Sequence, residues 1–166
     1  FVDCVGYVVD GAMGAEEEGQ QRMVRTPWFD HEIPFTQAAE VGTTKVIGDH
    51  SNIGLLVTTD GSFSDIERSA YVPAEEKAVS ALKASGKPFV MILNSAEPSA
   101  GETRRLRSEL EQKYAVPVLL MDVKHLEEED LDGLMRAVLY EFPLRQIEVN
   151  VPQWIQALAE DEAVAE

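Results

Sequence analysis

The sequence has a single cysteine, Cys4. One thiol cannot close an internal disulfide, so the fold must stand on packing alone, which fits a reducing, cytoplasmic compartment. Long apolar runs are also missing. None reaches the roughly 18–20 residues that span a bilayer, and the opening residues lack a signal-peptide pattern. Positive charge is scarce: 14 Lys and Arg stand against 30 Asp and Glu, a formal net charge of −16. Such a field repels phosphate backbones and argues against nucleic acid as a partner. A nucleotide is still compatible, because backbone N–H groups and a bound Mg²⁺ can hold it. The excess of acid also has a plain explanation as solvated helix faces.

Several catalytic signatures are absent as well. The phosphate-cradling G-x-x-x-x-G-K-[ST] does not occur; the Gly86-Lys87 pair is followed by Pro88 and closes a helix. There is no G-x-S-x-G elbow, and Cys4, read as packed in a strand, has no evident base. Asp30, His31 and Glu32 are adjacent, so their side chains diverge, and no second ligand pair has metal spacing. His50 and His125 stand alone.

What is present is an ordinary globular composition, 45% hydrophobic and 27% charged. Phe1 to Gly6 reads as a buried strand with Asp3 at its carboxyl end. Phe35, Ala38, Ala39, Gly42 and Val46 keep helical spacing up to a stop at Gly48-Asp49-His50. Ile53 to Thr59 is a short apolar run ended by Asp60-Gly61, the pattern of a strand covered on both faces. Pro73 suits the first turn of a helix through Ala78, Val79 and Leu82, closed by Gly86. Pro88 to Asn94 and Pro117 to Asp122 are two more buried strands. Between them, Ser99 and Glu102 predict a capping box for a helix carrying Leu106, Leu110 and Tyr114. Glu127 to Asp130 place negative charge at the start of a helix. Leu131, Leu134, Met135, Val138, Leu139 and Phe142 form its apolar face.

Strand and helix alternating four times predict an α/β fold: a parallel sheet with right-handed crossovers and helices on both faces. Ligands of such sheets bind at the carboxyl ends of the strands. That selects Asp3 to Gly6, Thr58 to Gly61, Asn94 to Glu97 and Asp122 to Lys124. The connection from Gly6 to Pro34, about 28 residues with Trp28 and Phe29 in it, is far longer than the ~2–6 of a βα loop. It reads as a lid or switch. After Pro143 the pattern changes, and a strand followed by a helix with Trp154, Ile155 and Leu158 reads as the start of another domain. The expected division is 1–146 and 147–166.

Asp3 and Gly6 make a D-x-x-G. In nucleoside triphosphatases of the P-loop type, this aspartate holds the Mg²⁺ shell and the glycine N–H approaches the γ-phosphate. By residue preference alone the same four residues are a strand-end turn. Asn94 to Glu97, "NSAE", stands where GTPases carry [NT]-K-x-D. Ser95 replaces the lysine that packs on the base, and Glu97 replaces the aspartate that reads guanine; Asn94 alone also suits a loop-capping amide.

The stretches "VDCVGYVVDGAMG", "RMVRTPWFDHEIPFTQAAEVGTTKVIGDHSNIGLLVTTDGSFSDI" and "KPFVMILNSAEP" closely resemble the stage IV sporulation protein A family, the spore-coat morphogenetic ATPases of endospore-forming bacteria. The resemblance implies a P-loop NTPase-like domain of translation-factor type that hydrolyses ATP, here lacking its N-terminal P-loop portion, followed by a middle domain. It implies ATP and Mg²⁺ as cofactors. Asp3 then matches the Walker B aspartate that ligates Mg²⁺, and Gly6 matches the switch glycine beside it, the two catalytic positions. Asn94 and Ser95 fall on the altered base-recognition motif and would bind the nucleotide.

The resemblance further implies that ATP hydrolysis drives self-assembly of the coat basement layer on the forespore surface, in the mother-cell cytoplasm. Partners would be other copies of the protein, a small amphipathic membrane peptide and other coat proteins. The peptide, the coat proteins and a peripheral membrane contact would be reached through regions outside this chain. With no phosphate cradle in it, the chain by itself is expected to be inactive. Two further readings stand beside this one. The first is a structural self-assembly module with a vestigial nucleotide site and Trp28, Phe29 and Trp154 as contact surface. The second is a GTPase in which Glu97 imitates the usual aspartate.

Overall fold

The centre of the molecule is a run of apolar residues covered on both sides. In the computed structural model, which describes residues 2–17 and 19–142, every side chain from Phe89 to Leu93 is buried. Small paired segments precede it: β1 (Glu16–Glu17) with β2 (Gln20–Gln21), and β3 (Met23–Val24) with β4 (Ile33–Pro34), both antiparallel. Helix α1 (Phe35–Lys45) follows and widens into a π-helical turn at Val46–His50.

Three parallel strands then form the sheet in the order β5 (Gly54–Thr59), β6 (Phe89–Asn94), β7 (Val118–Met121). Leu55 lies opposite Val90 and Thr59 opposite Asn94, while Asn94 also faces Met121, so the three carboxyl ends finish level. The connecting helices are α2 (Arg68–Ser85) and α3 (Gly101–Tyr114), and α4 (Glu128–Tyr140) comes last. Val79, Leu82, Leu110 and Tyr114 pack with Phe89, Met91, Leu93 and Val118 on one face. On the other, Leu134 and Val138 of α4 cover Val90, Ile92 and Met121. Helices thus lie on both faces, as the alternation predicts. Among the described residues, no helix is long and apolar enough to cross a membrane.

Sequence details explain how close the layers come. A Cβ at Gly54 would stand 2.5 Å from Leu82 Cδ2 and 2.9 Å from Phe89 Cβ, so only glycine lets α2 lie down on β5 there. Gly86 closes α2 at φ +67°, the left-handed position where a side chain is strained.

Five expectations need correction. The strand read at Ile53 to Thr59 is covered on one face only: Leu55 and Val57 are exposed and line a cleft shared with residues 2–7, which do not pack onto them as a layer. Residues 2–9 form no strand, and Val2 and Val5 are exposed; with no ladder partner among the described residues, their apolar character alone does not make a strand. Cys4 is accordingly exposed rather than packed in one. Pro73 is the sixth residue of α2, not part of its first turn, because the helix begins earlier, at Arg68. The predicted Ser99–Glu102 box does not form: the N-cap is Ala100, without a side-chain bond. A capping box does form at α4, where Glu127 and Asp130 exchange hydrogen bonds with each other's backbone N–H. The domain boundary expected at 146/147, and Trp154, Ile155 and Leu158 beyond it, lie outside the described residues.

Candidate functional site at the carboxyl ends of the strands

Parallel strands expose unpaired backbone groups where they end, and here those groups are tied to one another. The Asp60 N–H donates to the Asn94 carbonyl (3.3 Å), and the Ser95 N–H donates to the Met121 carbonyl (3.0 Å). Asn94 Oδ1 accepts the Val123 N–H at 2.9 Å, so this side chain caps the turn after β7. Ser62 reaches across from the β5 loop. Its hydroxyl donates to Asp60 Oδ1 at 2.6 Å and accepts the Ala96 N–H at 2.9 Å.

Two carboxylates in this layer are held ionised. Burial alone would push the Asp60 carboxyl up. Hydrogen bonds from the Ser62 and Ser95 side chains and from the Ser62 N–H outweigh that and keep it below the ordinary value. Asp122 is held down mainly by His125, whose Nδ1 lies 2.7 Å from Oδ2, and by the Lys124 N–H at 3.0 Å.

Asp3 and Gly6 lie elsewhere. Both line a cleft of about 390 Å³ between residues 2–7 and β5, floored by Thr58, Glu75 and Ala78. Asp3 is exposed there. Gly6 has φ +78°, open space where a Cβ would be, and a carbonyl that accepts Thr43 Oγ1 of α1 at 3.2 Å. An exposed carboxylate on a cleft wall suits one ligand position of Mg²⁺, a hard cation that keeps much of its shell as water or phosphate oxygen. A bare glycine edge beside it leaves room for a close approach to backbone. Asn94 and Ser95 do not line this cleft. Asp3 and Gly6 thus share the cleft, while Asn94 and Ser95 sit beside it, one strand over from Thr59, which lines the cleft and pairs with Asn94.

Placed in this geometry, the sequence can be set against known proteins. A profile described as "Stage IV sporulation protein A, ATPase domain" matches residues 1–143. The chain belongs to the stage IV sporulation protein A ATPase-domain family. Curated relatives named Stage IV sporulation protein A agree with this. The protein from Clostridioides difficile (strain 630) is 54% identical over 95% of the chain and 32% of its own length. That from Bacillus subtilis (strain 168) is 49% identical over 97% and 33%. That from Bacillus anthracis is 48% identical over 96% and 32%. The chain spans about a third of the length of these relatives. No solved structure gives a significant match. The parallel sheet flanked by helices is consistent with the α/β, P-loop NTPase-like class expected of this family.

Within this stage IV sporulation protein A ATPase domain, Ser95 takes a specific place. Its side chain is 0% exposed, and its hydroxyl accepts the Glu97 N–H at 3.0 Å. It shapes the turn that presents the exposed Glu97. Sequence reasoning missed a second polar centre altogether. Glu75, buried under β5, accepts from Thr58 Oγ1 (2.6 Å), Arg68 Nη2 (2.7 Å) and Tyr114 OH (2.8 Å). The signal was available: Glu75 precedes Ala78, Val79 and Leu82 by three, four and seven residues, which puts an acid on the apolar face of α2.

Proposed function

We propose that this chain is the sheet-and-helix portion of an ATPase domain belonging to a spore-coat morphogenetic scaffold of the length of its relatives. The observation that carries this reading is the match to the ATPase domain over residues 1–143, on a fold whose strand ends converge on one loop layer. In this reading ATP binding and hydrolysis drive self-assembly of the coat basement layer on the forespore surface, within the mother-cell cytoplasm. Other copies of the protein are the main partner. A small amphipathic membrane peptide, other coat proteins and a peripheral membrane contact are served by regions outside this chain.

Each residue has a distinct task. Asp3 would hold Mg²⁺, whose positive charge offsets the charge of the nucleotide phosphates. Gly6, free of a Cβ, would let its N–H approach a phosphate oxygen. The Thr43 hydroxyl on its carbonyl would fix the peptide's orientation. Asn94 supports the loop after β7, while Ser95 and Glu97 form the turn that would meet the base. Having no phosphate cradle in its sequence, the chain tested alone is expected to turn over no ATP.

The test is ATP turnover by the full-length protein with Asp3→Ala. A loss of at least a hundredfold is expected, in line with removing a metal-holding group from a phosphoryl-transfer site. Unchanged turnover would remove Asp3 from the mechanism. One observation favours a second reading, a self-assembly module whose nucleotide site is vestigial. Leu131, Met135 and Leu139 of α4 are 49%, 51% and 62% exposed, an apolar stripe open for contact. Normal polymerisation without nucleotide would favour that reading.

A further inference from the structure

The loop Asn94–Glu97 has one internal bond, from the Glu97 N–H to the Ser95 hydroxyl at 3.0 Å, and is otherwise tied to its neighbours. Its first carbonyl accepts the Asp60 N–H at 3.3 Å, and its third residue, Ala96, donates its N–H to Ser62 Oγ at 2.9 Å. Both partners come from the turn after β5. That turn is itself closed: Asp60 Oδ1 accepts from the Ser62 N–H (3.0 Å) and from the Ser62 hydroxyl (2.6 Å). Gly61 between them has φ +93°, and a Cβ there would lie 3.2 Å from the Arg68 N. The turn therefore lies against the start of α2 at Gly61.

We propose that Asp60 and Ser62 are positioning residues for the loop Asn94–Glu97, setting the height at which it meets a nucleotide base and so which purine is preferred. This rests on the reading of the chain as part of an ATPase domain. Ser95 is fully buried and Ala96 carries only a methyl group, so the loop offers an incoming base mainly the exposed Glu97. An ionised carboxylate only accepts hydrogen bonds. It can take the exocyclic N–H of adenine or the imino and amino N–H groups of guanine. The residue type alone does not choose between them; the position of the loop does. The Ser62 hydroxyl is suited to fixing that position, because it donates to a charged acceptor while accepting from the loop.

The test uses the full-length protein as wild type, Ser62→Ala and Ser62→Thr. Fluorescent ATP and GTP analogues measure affinity, and ATP turnover supplies KM and kcat. Losing one such bond weakens binding by roughly two- to tenfold. Ser62→Ala is expected to raise KM for ATP by that factor and shift the ATP-to-GTP affinity ratio, with kcat within about twofold of wild type. Ser62→Thr, which keeps the hydroxyl, restores both. Unchanged affinity and ratio in Ser62→Ala overturn the assignment, as does a loss that Ser62→Thr fails to restore. Amide exchange at Ala96 reads the same contact without nucleotide. Faster exchange in Ser62→Ala is expected, and unchanged exchange shows that the clasp does not hold the loop. A wild-type protein that binds neither nucleotide, with Ala96 exchange still sensitive to Ser62, refutes the ATPase reading and the role in base choice, leaving the clasp structural.

Discussion

Glu75 shows how much one side chain can organise. It is 4% exposed and touches a strand hydroxyl, a tyrosine from α3 and the guanidinium at the start of its own helix. Burial, followed by the bond to Glu75, pushes the Tyr114 hydroxyl above its ordinary value, which keeps the proton it donates. Glu75→Ala would strand Arg68, whose Nε and Nη1 already lack partners among the described residues, and would orphan two hydroxyls. Removing one member of a buried ion pair costs about 3–5 kcal/mol. The expected result is a fall in melting temperature of roughly 10 °C, followed by circular dichroism. A fall under about 2 °C would mean that water enters and replaces the carboxylate.

At the scale of elements, α4 divides its apolar residues unequally. Leu134 and Val138 are buried against β6 and β7, while Leu131, Met135 and Leu139 are largely exposed. Leu134→Ala should therefore cost about 2–5 kcal/mol, and Leu139→Ala within about 0.5 kcal/mol, as read by urea unfolding. Equal losses would show that the exposed stripe is covered in solution. The same helix shows which features were legible in the sequence. Its period located the element, but period cannot tell which half of an apolar face finds a neighbour. Buried strands were legible because Phe89 to Leu93 and Val118 to Met121 are apolar throughout, as strands covered on both faces must be. The opening residues looked similar and formed no strand, since pairing depends on a partner elsewhere in the chain. The start of α2 was misplaced because its N-cap residue, Glu67, makes no side-chain cap bond that would mark the helix start. Of the positions singled out, Thr58 to Gly61, Asn94 to Glu97 and Asp122 to Lys124 do follow strands, whereas Asp3 to Gly6 follow none, and the Ser62 clasp links residues 34 apart and leaves no local trace.

For the whole molecule, acid is the informative perturbation. Asp60 and Asp122 both have folded pKa values below their ordinary 3.8. A depressed carboxyl stabilises the fold at pH above its unfolded value, and that contribution is lost as pH falls through the folded value. Stability should hold down to about pH 4 on their account and decline below it. Asp60→Asn should shallow that decline while leaving neutral-pH unfolding two-state; an identical acid limb in the variant would deny Asp60 its role.

The level ending of β5, β6 and β7 has a further consequence. Asp60, Asn94, Ser95 and Val123 are cross-bonded from one loop to the next, so the position of each loop is coupled to that of its neighbours. Coupled loops leave less ordering for a ligand to supply than independent ones would. If a ligand meets this rim as proposed, a substitution in the core beneath it would retune affinity without touching the ligand.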